Sequence, residues 1–214
     1  MFPSRRTTLG GDVFRDEYSL EFDGTDDYVD CGNDASLQFS GGTAITASAW
    51  INVTSFVAWS LIFGNASASG WTNGWALLWS GGASGKLKFS INHFNNFASY
   101  DYPDTLTNQW EHVVGTYDGA YIKIYVNGVL GSRVESEFTD SIGNTENTVI
   151  GKHESGTDVF FNGKISETAL YNTALTASQI KTLYNGREPY NHKEGIAAGN
   201  LVSWCRMGDG TERG

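Results

Sequence analysis

Proline and cysteine are scarce in this chain, at 3 and 2 of 214 residues. Two cysteines near opposite ends, Cys31 and Cys205, do not make the dense disulfide framework on which small secreted scaffolds depend. One long-range disulfide is open to them, and free or part-buried thiols are the expectation. Positive charge is in short supply too. Lys and Arg number 14 against 24 Asp and Glu, a formal net charge of −10. No basic run exceeds Arg5–Arg6, so a phosphate backbone meets repulsion and nucleic acid is not an expected partner. No apolar run approaches the roughly 20 residues that a membrane helix needs, so no membrane insertion is expected. The opening MFPSRRTTLGGD has arginines with no apolar stretch behind them. It does not read as a secretory signal, and synthesis in a cytoplasm without ordinary export is the expectation.

Glycine and aromatic residues are abundant. There are 26 glycines, and Phe, Trp and Tyr make up 14% of the chain, which suits many short strands joined by tight turns around an apolar core. Residues 1–17 show no periodicity and read as an extended arm. Strand-like runs follow at Tyr18–Phe22, Asp26–Val29, Ala44–Val53, Trp59–Phe63, Trp75–Trp79 and Lys86–Asn92. In the third, Ala47, Ala49, Ile51 and Val53 alternate with Ser48, Trp50 and Asn52, the period of a strand. Asp118-Gly119 and Asn127-Gly128 are turn pairs suited to positive φ. They cut Trp110–Glu135 into three antiparallel strands. Thr148–Gly151, Phe160–Tyr171 and Leu201–Met207 supply the last strands. One helix is expected after the capping box Thr176-Ala-Ser-Gln179, with Ile180, Leu183 and Tyr184 at helical spacing and Gly186 as its stop. Residues 187–200 read as a linker.

Several of these segments are similar to one family. Ser19-Leu-Glu-Phe-Asp-Gly24, Asp27-Tyr-Val29, the Ala47–Ile51 strand, Trp110–Gly119 and Ile124–Gly128 resemble the laminin-G-like domains of the concanavalin A-like lectin/glucanase superfamily. So do Ile150-Gly151 and the run from Phe161-Asn-Gly163 to Leu183-Tyr-Asn185. The resemblance covers residues 18–186 and implies an all-β fold, a two-sheet antiparallel jelly-roll sandwich with one short C-terminal helix. Residues 187–214 would then be a C-terminal linker and terminal strand. Leu201–Gly210 resembles the strand that usually precedes the Phe-Asp-Gly strand in these domains. Its place at the C-terminus leaves two readings: a sandwich completed by its own or a neighbour's tail, or the start of a second domain.

Three chemistries follow for the residues. Retaining glycosidases need two carboxylates about 5–5.5 Å apart. The nearest approach to the superfamily's catalytic run is Glu135-Ser-Glu137, which lacks the central Asp and reads as a solvated strand end. No nucleophile elbow and no Cys/His cluster is present, and His112 reads as a framework residue. The family often carries a structural Ca²⁺, which takes 6–8 oxygens. Asp23, Asp26 and Asp27, with Glu167, are the candidate ligands. Carbohydrate binding needs aromatic faces and amides. Two loops offer both: residues 65–75, with Trp71 and Asn73, and residues 92–102, with Phe94, Asn96, Phe97, Tyr100 and Tyr102.

The expectation is therefore a non-enzymatic binding or structural module. Its first setting is a virion, as a phage capsid decoration or fibre component made in the host cytoplasm and partnered by other structural chains. The alternative is a carbohydrate-binding domain of a secreted or cell-surface protein, with glycans as partners. A divergent glycoside hydrolase ranks third.

Overall fold

The computed structural model describes residues 18–39, 44–66, 73–81, 85–93, 95–102, 107–138, 142–143, 145–153 and 159–207. The expected N-terminal arm, Trp71 and Phe94 lie outside them. The described strands are β1 (Leu20–Asp23), β2 (Val29–Asp30), β3 (Ile45–Ser55), β4 (Leu61–Gly64), β5 (Trp75–Ser80), β6 (Lys86–Ile91), β7 (Phe97–Asp101), β8 (Trp110–Tyr117), β9 (Tyr121–Val126) and β10 (Val129–Glu135). After them come β11 (Val149–Ile150), β12 (Lys152–His153), β13 (Val159–Phe160), β14 (Asn162–Tyr171), the helix α1 (Ala177–Tyr184) and β15 (Leu201–Cys205).

These strands form two stacked antiparallel sheets, the jelly-roll sandwich that the sequence implies. One runs β1-β14-β3-β8-β9-β10, the other β2-β11-β4-β5-β6-β7, and β12 and β13 make a small separate ribbon. Alternation along each strand fills the space between the sheets. Ile45, Ala47, Ala49, Ile51 and Val53 of β3 meet Trp75, Leu77 and Trp79 of β5 and Leu87, Phe89 and Ile91 of β6 in one core. Packing is tight enough to require glycine at Gly115, where a Cβ would stand 2.1 Å from the Phe89 ring. The sheets also meet at one edge, where the Ser132 hydroxyl of β10 donates to the Ser99 carbonyl of β7 at 2.6 Å.

The tail joins its own chain. β1 pairs with one half of β14, through Leu20↔Ile165 to Asp23↔Asn162. β15 takes the other half, with Thr168↔Cys205 and Ala169↔Trp204. Two short strands thus share the edge of one long strand, and both halves of that edge are paired rather than exposed. The arrangement brings Cys205 to Cys31. The thiols are unbridged and hydrogen-bond to each other, which raises the Cys31 pKa and lowers that of Cys205.

Helix α1 starts as its sequence dictates. The Thr176 hydroxyl accepts from the Gln179 amide at 3.3 Å, and the Gln179 side chain accepts from the Thr176 amide at 2.8 Å, so two orphan donors are satisfied. Asn185 closes the helix in the left-handed region at φ 48°. Ile180 and Leu183 then pack on the outer face of the seven-stranded sheet, against Val114, Tyr125, Ala169 and Tyr171. Residues 187–200 are not a loose linker. Tyr190, Ile196 and Ala197 extend that cluster, and His192 is buried.

Candidate functional site

The sandwich has two outer faces, and α1 with its following segment covers the seven-stranded one. Its polar groups face one another. Ser48 Oγ lies 2.8 Å from His112 Nε2, and the His112 ring packs tilted against Trp50 and stacked on Tyr184, while those two rings also stack on each other. Burial, and next the charge of His192, push the His112 pKa down to about 3. The Tyr171 hydroxyl lies 2.6 Å from His192 Nδ1, and burial likewise holds His192 down to about 3. Glu111 is buried and accepts from the Asn127 amide. Among the described residues this network pairs buried groups beneath a cover, and His112 Nδ1 is left without a hydrogen-bond partner.

Glu167 belongs to the covered face. It is wholly buried at a bulge of β14 between Ser166 and Ala169, in the left-handed region at φ 52°. Its carboxylate accepts from the Trp204 indole at 2.6 Å, and Arg206 stands 3.8 Å away. Glu167 therefore does not join Asp23, Asp26 and Asp27. Those three are exposed, with carboxylate oxygens within 4.8 Å of one another. Two are already engaged in the local turn: Asp27 accepts from the Asp23 amide at 3.0 Å, and Asp23 from the Thr25 amide at 2.7 Å. The trio has the hard-oxygen chemistry of a calcium ligand set but supplies only part of the 6–8 oxygens that the ion takes.

The outer face of the six-stranded sheet is different. Lys86 and Lys88 of β6 and Phe97, Ser99 and Asp101 of β7 alternate with the core residues and so point outward. Trp59, from the β3–β4 connection, stands beside them, 41% exposed. Trp59, Lys86, Lys88, Phe97 and Ser99, with Ser80, Gly81 and Gly85, line an open groove of about 390 Å³, within the roughly 300–1,000 Å³ of small-ligand sites. Trp59 is held at φ 68°, a backbone region costly for a bulky side chain and concentrated at functional sites. The Lys88 ammonium sits 3.7 Å from the Phe97 ring centroid and 5.5 Å from that of Trp59. Desolvation, then the nearby Lys86, lower its pKa. A second cleft on this face, about 220 Å³, is lined by Thr145, Glu146, Asn147, Lys152 and His153.

Of the expected sugar contacts, Phe97 lies in the groove and Asn73 is exposed. The other described ones do not reach the surface together. Residues 97–101 are strand β7 rather than loop, so Tyr100 and Tyr102 turn inward. Tyr102 is buried against Phe56 and Trp79. Asn96 is buried and donates to the Ile91 carbonyl at 2.8 Å and Ser136 Oγ at 3.0 Å, so it pins the β6–β7 turn. Glu135 and Glu137 are exposed at the end of β10. Trp59 and Lys88 were missed. The available signal was the strand alternation in Lys86–Asn92, which puts Lys86 and Lys88 on one face.

The comparisons agree with this architecture. The profile of the concanavalin A-like lectin/glucanases superfamily matches residues 23–181. No curated protein gives a significant match. A putative carbohydrate-binding protein from Bacteroides ovatus is similar with a TM-score of 0.68 and 22% identity, over 91% of this chain and 53% of its own. A heptameric SAP-like pentraxin from Limulus polyphemus has a TM-score of 0.60 and 18% identity, over 78% and 81%. Domain 4 of an extracellular arabinanase from Geobacillus stearothermophilus, in complex with arabinotriose, has a TM-score of 0.52 and 22% identity, over 67% of each chain. These identities speak for the fold. With the profile match across most of its length, the chain belongs to the concanavalin A-like lectin/glucanases superfamily, on its laminin-G-like branch.

Proposed function

We propose that this chain is a non-enzymatic carbohydrate-binding module whose sugar lies in the Trp59–Lys88–Phe97 groove. The exposed, conformationally strained Trp59 carries the reading. An indole face at the mouth of a groove offers stacking area for the C–H face of a sugar, and Ser99 beside it offers a hydroxyl. Two of the similar structures support the choice by their descriptions, one as a putative carbohydrate-binding protein and one in complex with arabinotriose. Secretion or display at a cell surface is the setting that goes with it. The virion setting has no such support, and particle association is the observation that would bring it forward. Glu135 and Glu137, exposed at a strand end, do not provide a desolvated acid opposite a nucleophile, which argues against a hydrolase. Calcium at Asp23, Asp26 and Asp27 is a separate proposal, tested by calorimetric titration; no heat and no thermal shift would remove it. Glycan-array binding tests the main reading. Wild type should bind, and Trp59→Ala should lose binding with its melting temperature kept. A blank array at millimolar sensitivity would remove the proposal.

A further inference from the structure

Among the described residues, a cation without a carboxylate partner stands in the groove of an acidic protein. Lys86 is matched by Asp101 at 2.7 Å. Lys88 has no carboxylate partner among the described residues, and its ammonium is bordered by the Phe97 and Trp59 rings. It is half-buried, which for a lysine without a counter-charge is costly. Desolvation, and next the like charge of Lys86, lower its pKa. An anion placed there would oppose both effects, offsetting the ammonium's loss of hydration and the repulsion from Lys86.

Resting on the carbohydrate reading above, we infer that the groove takes an acidic sugar, a uronic acid residue whose carboxylate meets Lys88 while its ring stacks on Trp59. The division of labour follows from the groove's chemistry. Lys88 already occupies one face of Phe97, which leaves the exposed indole of Trp59 as the stacking surface. The adjoining Lys86–Asp101 pair keeps the second lysine committed, so the site recognises a single carboxylate rather than a run of them. With a net charge of −10 on the whole chain, general attraction to polyanions is absent. Selectivity for the acid then depends on this one short-range contact.

The test uses purified full-length chain with polygalacturonate and alginate, each compared with its carboxyl-reduced form, in which the acid has become a primary alcohol. Affinity is read by calorimetry or affinity electrophoresis, alongside a panel of neutral glycans. At least one acidic polymer should bind about tenfold or more tighter than its reduced form. Lys88→Gln should erase that preference at an unchanged melting temperature, and Trp59→Ala should weaken both forms. Equal binding of acidic and reduced polymers, a preference that survives Lys88→Gln, or binding to neutral glycans alone would overturn the inference while leaving the carbohydrate reading intact. Failure of every polymer and glycan, acidic or neutral, would overturn both.

Discussion

On the outer side of the seven-stranded sheet, Trp50 is 1% exposed, stacks with Tyr184 and packs tilted against His112 under a helix. On the outer side of the six-stranded sheet, Trp59 is 41% exposed beside a lysine with no acid partner among the described residues. Both faces carry an aromatic next to a basic side chain. What separates them is whether the polar groups lie under a cover. His112 meets Ser48, His192 meets Tyr171, and Glu167 meets Trp204 and Arg206, all beneath α1 and the segment that follows it. The open face has an ammonium, a hydroxyl and an indole that face solvent. The same strand alternation therefore yields structural packing on one side and a candidate recognition surface on the other. A cover is the difference.

That contrast can be broken most severely at Trp50. Trp50→Ala removes a large buried ring from beneath α1 and should destabilise the fold by about 3–5 kcal/mol, read from denaturant midpoints. Acid should weaken the covered face next. His112 is held neutral down to about 3, whereas an unfolded histidine protonates near pH 6.5. Between those values the unfolded chain binds the extra proton, so stability falls as pH drops from about 6.5 toward 3. The slope contributed by this residue is roughly 1.4 kcal/mol per pH unit. Urea titrations from pH 7 to pH 4 should show the slope, and His112→Gln should remove its share while leaving that of His192, which burial also holds down to about 3. Thr176→Ala removes the helix cap and should cost about 1 kcal/mol, enough to loosen the cover without touching the open face. The smallest change in stability belongs to Trp59→Ala. As a surface substitution it should stay within about 0.5 kcal/mol of wild type while altering binding.

Most of the fold was legible because it rests on local rules. The alternation in Ala47–Val53 gave the inner face of β3, the two turn pairs gave the β8–β10 meander, and Thr176 with Gln179 gave the start of α1. Strand β7 was not recognised. Phe97 to Asp101 alternates, but its length of five residues and its flanking asparagines resemble a polar loop. That misreading carried the site with it, since Tyr100 and Tyr102 are aromatic in either reading and only register shows that they face the core. Glu167 failed for a similar reason. A bulge at Ser166–Ala169 turns it under the C-terminal segment, and bulges leave no periodic mark. Trp59 and Lys88 lie 29 positions apart on different elements, so only the folded sheet brings them together. The pairing of β15 with β14 was open in sequence because a self-completed sandwich and one completed by a neighbour have the same strand pattern.

The most direct test is glycan binding by wild type and by Trp59→Ala, measured on the same array and by calorimetry, with melting temperature recorded for both. Binding by wild type and its loss in a variant that melts within a few degrees of it is the expected result. If wild type binds and Trp59→Ala binds equally well, the ligand sits elsewhere and the open groove is not the recognition surface.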